Sequence, residues 1–273
     1  MNPTHKIGFI GAGNMTEALV SGILKAKIAG PNGIRVTDIS ALRLQHFQDT
    51  YSVPSLTDNV ALVRWSDVVL LCVKPQTMDD VLSEIRTKLT PRSVVISVAA
   101  GYPLKRLYDH LGTDVPIVRA MPNTPAVVQQ GVTALAYGSN FDVTQSQLIQ
   151  DIFESVGKVV TIEESLMDAV TGLSGSGPAY VYLIIEAMAD AGVGVGLPRA
   201  IAHVLATQTV LGAAKMVEKT GAHPAVLKDR VTSPGGTTIA GLRELEAGGL
   251  RATVIKAVEA ATNRSAELGK PSP

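Results

Sequence analysis

The chain has 273 residues, 24 basic and 24 acidic side chains, a formal net charge of zero, one cysteine and 4% aromatic residues. That length can bury a substantial core, as one large domain or two small ones. The balanced charge and few aromatics argue against a nucleic-acid or membrane-surface partner, and the single cysteine excludes an intrachain disulfide framework and fits a reducing cytoplasm.

In chain order, residues 6–10 read as a short apolar strand, Gly11-Ala12-Gly13-Asn14-Met15-Thr16 as a glycine turn, and the residues from Glu17 to Lys25 as a helix. Strand, glycine turn and helix form the context that a dinucleotide-binding fingerprint requires. Gly11 permits the tight turn, and Gly13 lets a pyrophosphate touch the backbone. Thr16 stands where the third glycine is usual, a departure expected to loosen helix–strand packing. A second strand, 34–38, ends in Asp38, about 25 residues after Gly13. Asp38 has two readings. It accepts a ribose 2′-hydroxyl and repels a 2′-phosphate, favouring NAD, with Arg35 and Arg43 close enough in sequence to offset the repulsion. Alternatively, it is the N-cap of the helical segment 40–48.

Further strands are expected at 68–72, 94–98 and 117–120, and helices at 16–26, 41–48, 58–65, 78–89 and 104–111. This alternation implies a parallel sheet covered on both faces. Segments 132–136 and 158–162 read as two more strands around a helix at 144–155. After Glu163 strand signals vanish. Helical segments follow at 166–173, 179–193, 199–220, 238–247 and 252–268, with Gly192, Gly221, Gly248 and Gly249 as stops. The expected fold is therefore an α/β dinucleotide-binding domain over residues 1–163 and an all-α domain over 164–273. Residues 180–185 are apolar almost all round, which implies burial against a second copy or within the chain itself. The longest apolar stretch, 180–195, holds Glu186 and Asp190 and is too short to span a bilayer. No secretory signal heads the sequence, Cys72 reads as strand filler, and His5, His46, His110, His203 and His223 lack metal-ligand spacing, so no metal is expected.

Within residues 231–246, Ser233, Gly235, Gly236, Thr237 and Thr238 fall immediately before an amphipathic helical pattern. Glycines allow close backbone approach, and free N–H groups at a helix start hold an anion such as a carboxylate. The segment is also ordinary turn and cap chemistry. It carries no strong acid, base or thiol.

The chain resembles the pyrroline-5-carboxylate reductase family from Lys6 to about Leu268. The carriers are Gly8-Phe-Ile-Gly-Ala-Gly-Asn-Met15, Val73-Lys-Pro75, Ser97-Val-Ala-Ala-Gly101, Arg119-Ala-Met-Pro-Asn-Thr-Pro125, Gly172-Leu-Ser-Gly-Ser-Gly-Pro-Ala-Tyr180 and Ser233-Pro-Gly-Gly-Thr-Thr-Ile239. The resemblance implies a Rossmann domain, a helical domain that interlocks in a homodimer, and assembly of dimers into a decamer. It implies NADP(H) as cofactor, with NAD(H) as second candidate, held by Ile10, Gly11, Ala12, Gly13, Asn14, Met15, Asp38 and Asn59. The loops after later strands add Cys72, Val73, Lys74, Pro75, Ala99, Ala100, Gly101 and Asn123. Lys74 has a second reading as a solvated loop cation, and Asn123 as a turn former between prolines. For the substrate, 1-pyrroline-5-carboxylate, the resemblance implies Glu164, Ser233, Gly235, Gly236 and Thr237, with Thr238 as the catalytic hydroxyl beside the ring nitrogen. A β-hydroxyacid reductase, with Lys215 or Lys228 as catalytic lysine, and a non-catalytic nucleotide sensor are the competing expectations.

Overall fold

The structure is a computed structural model that describes residues 5–90 and 93–270. The described residues form seven strands: β1 (Ile7–Ile10), β2 (Ile34–Thr37), β3 (Val68–Leu71), β4 (Val94–Ser97), β5 (Ile117–Met121), β6 (Gly131–Tyr137) and β7 (Gly157–Thr161). They make one sheet in the order β2-β1-β3-β4-β5-β6-β7. Between them run α1 (Asn14–Lys25), α2 (Ala41–Tyr51), α3 (Asn59–Trp65), α4 (Met78–Ile85), α5 (Leu104–Leu111) and α6 (Val143–Glu154).

Alternate strand residues face opposite sides of a sheet, and here both sides are apolar. Val68 and Leu70 join Phe9, Leu19, Ile23, Phe47 and Phe153 in one core, whereas Val69 and Leu71 join Leu62, Leu82, Ile85 and Leu107 in the other. This two-sided burial explains the unbroken apolar sequence of β3. Each such large side chain contributes about 1.5–3 kcal/mol by leaving water.

Strands β1 to β5 are mutually parallel, but β6 runs antiparallel to β5 and parallel to β7. The sheet is thus not wholly parallel, as the alternation had implied. Only residues 122–130 connect β5 to β6, and a parallel return needs a crossover of about a dozen residues or more. The expected loosening at Thr16 is also absent. Thr16 is fully buried, and its hydroxyl donates to the Gly11 carbonyl at 2.5 Å, so the side chain fills the helix–strand gap and satisfies its own polar atom.

Two compact units emerge. One holds the described residues up to Gly175 and from Ala260 onward; the other is Ser176–Glu259. Residues 164–175, which the sequence reading placed in the helical domain, therefore pack with the sheet. They form a 3-10 turn (Glu164–Leu166), α7 (Met167–Val170) and a π-turn (Thr171–Gly175). Met167 is buried against Ala134 and Ala136 of β6, which anchors the segment there.

The second unit contains α8 (Gly177–Gly194), α9 (Arg199–Thr220), α10 (Pro224–Arg230), α11 (Thr237–Ala247) and the first part of α12 (Leu250–Leu268). Helices α8 and α9 meet through small residues. Ala189, Ala202 and Ala206 are buried, and a Cβ on Gly192 would lie 3.0 Å from that of Ala202. Their large apolar residues point elsewhere, with Leu183 and Val204 each 65% exposed. Helix α9 is long and apolar enough, by length and composition, to cross a membrane, unlike the 180–195 stretch singled out from the sequence. Helix α10 was not foreseen. Pro224 opens it and His223 Nδ1 accepts from the Ala225 N–H at 3.2 Å, but it is too short to show a periodicity.

Candidate active site

The strand registers set the geometry of the expected dinucleotide site. Ile10 pairs with both Thr37 and Leu71, so the following residues, Gly11, Asp38 and Cys72, come level at the carboxyl edge of the sheet. β1 lies between β2 and β3, and the direction of chain progress reverses at the β1–β3 junction. Such a switch point is where open α/β sheets bind ligands.

Gly11 has φ +98°, and its N–H donates to the Thr37 carbonyl at 2.8 Å. A Cβ there would stand 2.6 Å from the Cys72 carbonyl oxygen, so only glycine fits between β1 and β3. Gly13 is different. It is the N-cap of α1 with φ −79°, and a Cβ on it would meet nothing within 4 Å. Its face is open, and α1 has no side-chain cap. An open helix N-terminus with its dipole favours a diphosphate. Ile10 and Ala12 are buried, Asn14 is exposed and Met15 is half-buried against the core.

Asp38 uses both carboxylate oxygens locally. Oδ2 accepts from the Ala12 N–H at 2.6 Å and Oδ1 from the Ser40 N–H at 2.8 Å. The cap of α2 is Ser40, whose hydroxyl accepts from the Arg43 N–H at 3.4 Å. Asp38 is therefore not the helix N-cap; it ties the glycine turn to the β2–α2 loop. Arg43 reinforces the tie, donating from Nε to the Ala12 carbonyl and from Nη2 to Glu17, both at 2.7 Å. Asn59 accepts from the Thr37 hydroxyl at 2.7 Å and donates to Glu84 at 2.8 Å, bridging β2 to α4.

The neighbouring loops complete the edge. Cys72 is half-buried and desolvation pushes its thiol up to about 12, which leaves it protonated and unreactive at neutral pH. Val73 packs on the core below, Lys74 is exposed, and Pro75 opens a 3-10 turn. Ala99 is buried, Ala100 is half-buried, and Gly101 has φ +67°. A Cβ on Gly101 would lie 2.8 Å from that of Leu268, so Gly101 also seats the end of α12. Asn123 spends its side chain on structure. Nδ2 donates to the Ser174 carbonyl at 3.1 Å and Oδ1 accepts from the Val132 N–H at 2.9 Å.

Glu164 accepts from the Leu104 N–H at 2.5 Å, closing the start of α5, and faces Arg119 Nη1 at 3.5 Å. Arg119 Nη2 lies 3.7 Å from Asp168, which also accepts from the Ser265 hydroxyl at 2.7 Å. Arg119 is 5% exposed, and burial lowers its pKa against the opposing pull of Glu164 and Asp168. The sequence reading gave this arginine no role. Its signal was a lone charge inside the apolar strand Ile-Val-Arg-Ala-Met.

The expected carboxylate loop lies in the helical unit. Pro234 and Gly235 (φ +65°) form a turn closed by the Gly236 N–H donating to the Ser233 carbonyl at 3.1 Å. Gly236 is the N-cap of α11 with no side-chain cap, and Thr237 and Thr238 open the helix. A Cβ on Gly236 would stand 2.2 Å from Ser233 Oγ, so the glycine makes room for that hydroxyl. Thr237 and Ser233 are exposed and Thr238 is half-buried. Backbone N–H groups and hydroxyls thus converge on one helix start. Lys215 and Lys228, the alternative catalytic lysines, sit in surface ion pairs with Glu218 (3.2 Å) and Asp229 (3.0 Å).

The sheet unit has the switch-point geometry of dinucleotide-binding folds, and the helical unit, taken by itself, carries a helix start with no side-chain cap. Comparison narrows the class. Residues 164–268 match the family described as pyrroline-5-carboxylate reductase dimerisation, and residues 6–101 match NADP oxidoreductase coenzyme F420-dependent. The pyrroline-5-carboxylate reductase of Methanosarcina acetivorans is 49% identical over 97% of this chain and 98% of its own length. Among solved structures, a pyrroline-5-carboxylate reductase from Coxiella burnetii is 40% identical with a TM-score of 0.91, covering 98% of this chain and 100% of that one. The Plasmodium falciparum pyrroline carboxylate reductase, solved with NADP bound, is 36% identical with a TM-score of 0.89 over 97% of this chain and 98% of that one. The chain belongs to the pyrroline-5-carboxylate reductase family.

Proposed function

We propose that the protein reduces the C=N bond of 1-pyrroline-5-carboxylate to L-proline with NAD(P)H, the last step of proline biosynthesis. The observation that carries the reading is the uncapped helix start at Gly236–Thr238, framed by hydroxyls and free of strong acids or bases. Backbone N–H groups at Gly235–Thr237, with Ser233, hold the substrate carboxylate. Thr238 places its hydroxyl on the ring nitrogen, and Glu164 borders the substrate through the Arg119 network. Residues from Ile10 to Met15 hold the pyrophosphate on the N-terminus of α1. Asp38 and Asn59 line the adenosine side, Cys72 to Pro75 line the middle, and Ala99 to Gly101 with Asn123 form the nicotinamide wall. When bound, the reduced nicotinamide supplies a hydride. The protein's part is to orient the imine and exclude water. A protonated imine is already electrophilic, so positioning supplies most of the rate.

The protein self-associates through its helical unit, and we infer a homodimer that further assembles into a decamer. The exposed apolar faces of α8 and α9, and a cavity of about 610 Å³ between them lined by Tyr182, Ile185 and His203, support this reading. The single cysteine supports a cytoplasmic location. The test is a stopped-flow absorbance trace. Reduced cofactor should be consumed only when 1-pyrroline-5-carboxylate is added; equal consumption without it, or none with either cofactor, overturns the assignment.

A further inference from the structure

We propose that Tyr102 and Asp79 are a positioning pair that fixes the nicotinamide wall against α4, so that the Tyr102 hydroxyl governs hydride transfer without touching either reactant. This rests on the function proposed above and goes further by naming residues to which the sequence reading gave no role. Leu71 pairs with Ser97, so the residues that follow, Cys72 and Val98, leave adjacent parallel strands level with each other. The loops 72–77 and 98–103 therefore run side by side at the carboxyl edge of the sheet, and lead into α4 and α5. The first loop fastens itself. Pro75 opens its 3-10 turn, and the Thr77 N–H and hydroxyl both donate to the Lys74 carbonyl at 3.1 Å. The second loop has little to fasten itself with. It reads Val-Ala-Ala-Gly-Tyr-Pro, in which Tyr102 alone has a side chain that can hydrogen-bond.

Tyr102 is 1% exposed, in one core with Met78 and Leu82 of α4 and Leu107 of α5, and its hydroxyl donates to Asp79 Oδ1 at 2.5 Å. Asp79 stands in the first turn of α4, and its carboxylate is held from α5. Arg106 Nη2 donates to Oδ2, His110 Nε2 lies 3.3 Å from Oδ1, and the Arg106 guanidinium lies 4.6 Å from the Tyr102 ring centroid. Burial alone would raise the Asp79 carboxyl, but hydrogen bonds from Tyr102 and Arg106 outweigh it and hold it below its ordinary value. Burial, and then the bond to Asp79, push the Tyr102 phenol up. Across the neutral range the phenol is therefore the donor and the carboxylate the acceptor, a charge-assisted bond of the stronger kind. Gly101, one residue earlier, has φ +67°, and the Leu104 N–H, two residues later, is held by Glu164. The wall of Ala99, Ala100 and Gly101 is thus set by the residue that follows it, and a shift of the Tyr102 ring carries Gly101 with it.

Hydride transfer needs two carbons near contact, and a misplacement of about 1 Å can cost about a hundredfold in rate. Tyr102→Phe keeps the buried ring and removes only the hydroxyl. Asp79→Ala removes the acceptor from a side chain that is 43% exposed, so it carries the test if the buried change prevents folding. In the protein without cofactor, each change should speed amide hydrogen exchange over residues 98–104 by about tenfold or more. Single-turnover stopped flow with saturating NADPH and 1-pyrroline-5-carboxylate should run about tenfold or more slower in each variant. The double variant should be no slower than the slower single one, because both deletions break one bond. The calorimetric Kd for NADP+ should rise by a smaller factor than the rate falls, since other loops hold the pyrophosphate and the adenosine. A purely structural hydroxyl would lower the urea midpoint alone. Unchanged exchange or an unchanged single-turnover rate in a folded single variant, losses that multiply in the double variant, or a loss confined to Kd each overturns the proposal. A wild type that consumes no reduced cofactor with this substrate instead overturns the functional reading, and the exchange measurement still decides whether the pair holds the loop.

Discussion

Gly11 and Gly13 sit two residues apart in one turn, yet the structure assigns them different work, and alanine at each position separates the two. At Gly11, alanine must adopt φ +98°, a sparsely populated region that costs about 1–3 kcal/mol. Its Cβ would also lie 2.6 Å from the carbonyl oxygen and 2.9 Å from the carbonyl carbon of Cys72. Those are backbone atoms of β3 and cannot rotate aside, so overpacking adds about 1–3 kcal/mol. Gly11→Ala should therefore lose about 2–6 kcal/mol of stability, the sum of those ranges. At Gly13 the backbone is extended, with φ −79° and ψ −173°, and a Cβ would meet no heavy atom within 4 Å. Alanine is a poorer N-cap than glycine, but it reduces the freedom of the unfolded chain, and the net change should stay within about 1 kcal/mol. The added methyl would nevertheless stand on the open face where a pyrophosphate approaches, and Kd for the dinucleotide should rise by about tenfold or more, at 1.4 kcal/mol per decade. Urea unfolding followed by the lone Trp65 reports stability, and calorimetric titration with reduced cofactor reports binding. Wild-type affinity in Gly13→Ala would refute the backbone-approach argument; wild-type stability in Gly11→Ala would refute the turn argument.

Thr238→Ala should lower kcat by about one to two decades, the equivalent of about 1.5–3 kcal/mol for a hydrogen bond to a charged group, with cofactor affinity retained; Thr238→Ser should keep most activity, and an unchanged kcat in Thr238→Ala removes the hydroxyl from the mechanism. Charges placed on the exposed apolar faces of α8 and α9, as Leu183→Asp with Val204→Asp, should convert an associated wild type to a species near 28.6 kDa in sedimentation equilibrium; an unaltered mass rules those faces out as the interface. Burial alone would raise the pKa of Glu17, but hydrogen bonds from Arg43 and His46 outweigh it and hold it below the ordinary carboxylate value. A depressed carboxylate stabilises the fold above its unfolded pKa, about 4.3, and that contribution disappears as pH falls through the lower folded value. The stability advantage of wild type over Glu17→Gln, from urea unfolding, should thus be full near neutrality and shrink below about pH 4; a pH-independent gap refutes the pairing.

The sheet was legible because its strands obey local rules. All seven occur close to where apolar runs between turn residues place them; two-sided burial gives β1, β3 and β4 their largely apolar composition, whereas β7 is mostly exposed. What local pattern does not encode is direction. Val132 to Ala136 reads as a strand in either orientation, and only the brevity of residues 122–130 reveals that β6 must turn back. The dimerisation family match begins at residue 164, where the sequence places the boundary, while the compact units divide after Gly175. Residues 164–175 carry helical spacing, but whether a helical segment packs on a sheet or on other helices depends on tertiary partners such as Ala134 and Ala136.

At the site, residue types were legible and their commitments were not. Gly11 declares itself because only glycine fits its positive φ beside Cys72, whereas the fold alone makes no such demand at Gly13. Polar side chains declare only a capacity. Asn123 can orient a ligand or fasten a turn, and its amide holds the carbonyl of Ser174 and the N–H of Val132. Glu164 can border a substrate or close a helix, and its carboxylate meets the Leu104 N–H and the buried Arg119. These fastenings do not compete with a role toward ligands. A carboxylate held by an N–H still has acceptor sites left, and a fixed side chain loses little further freedom when a ligand arrives. Arg119 extends the same logic. Its positive charge, buried between Glu164 and Asp168, joins β5 to the 3-10 turn and α7, and Asp168 passes the connection to Ser265 near the end of α12. Of the charged groups in this network only the arginine is buried, while Glu164 and Asp168 stay about a third exposed, so burial disfavours the charge of Arg119 and the two carboxylates are what hold it.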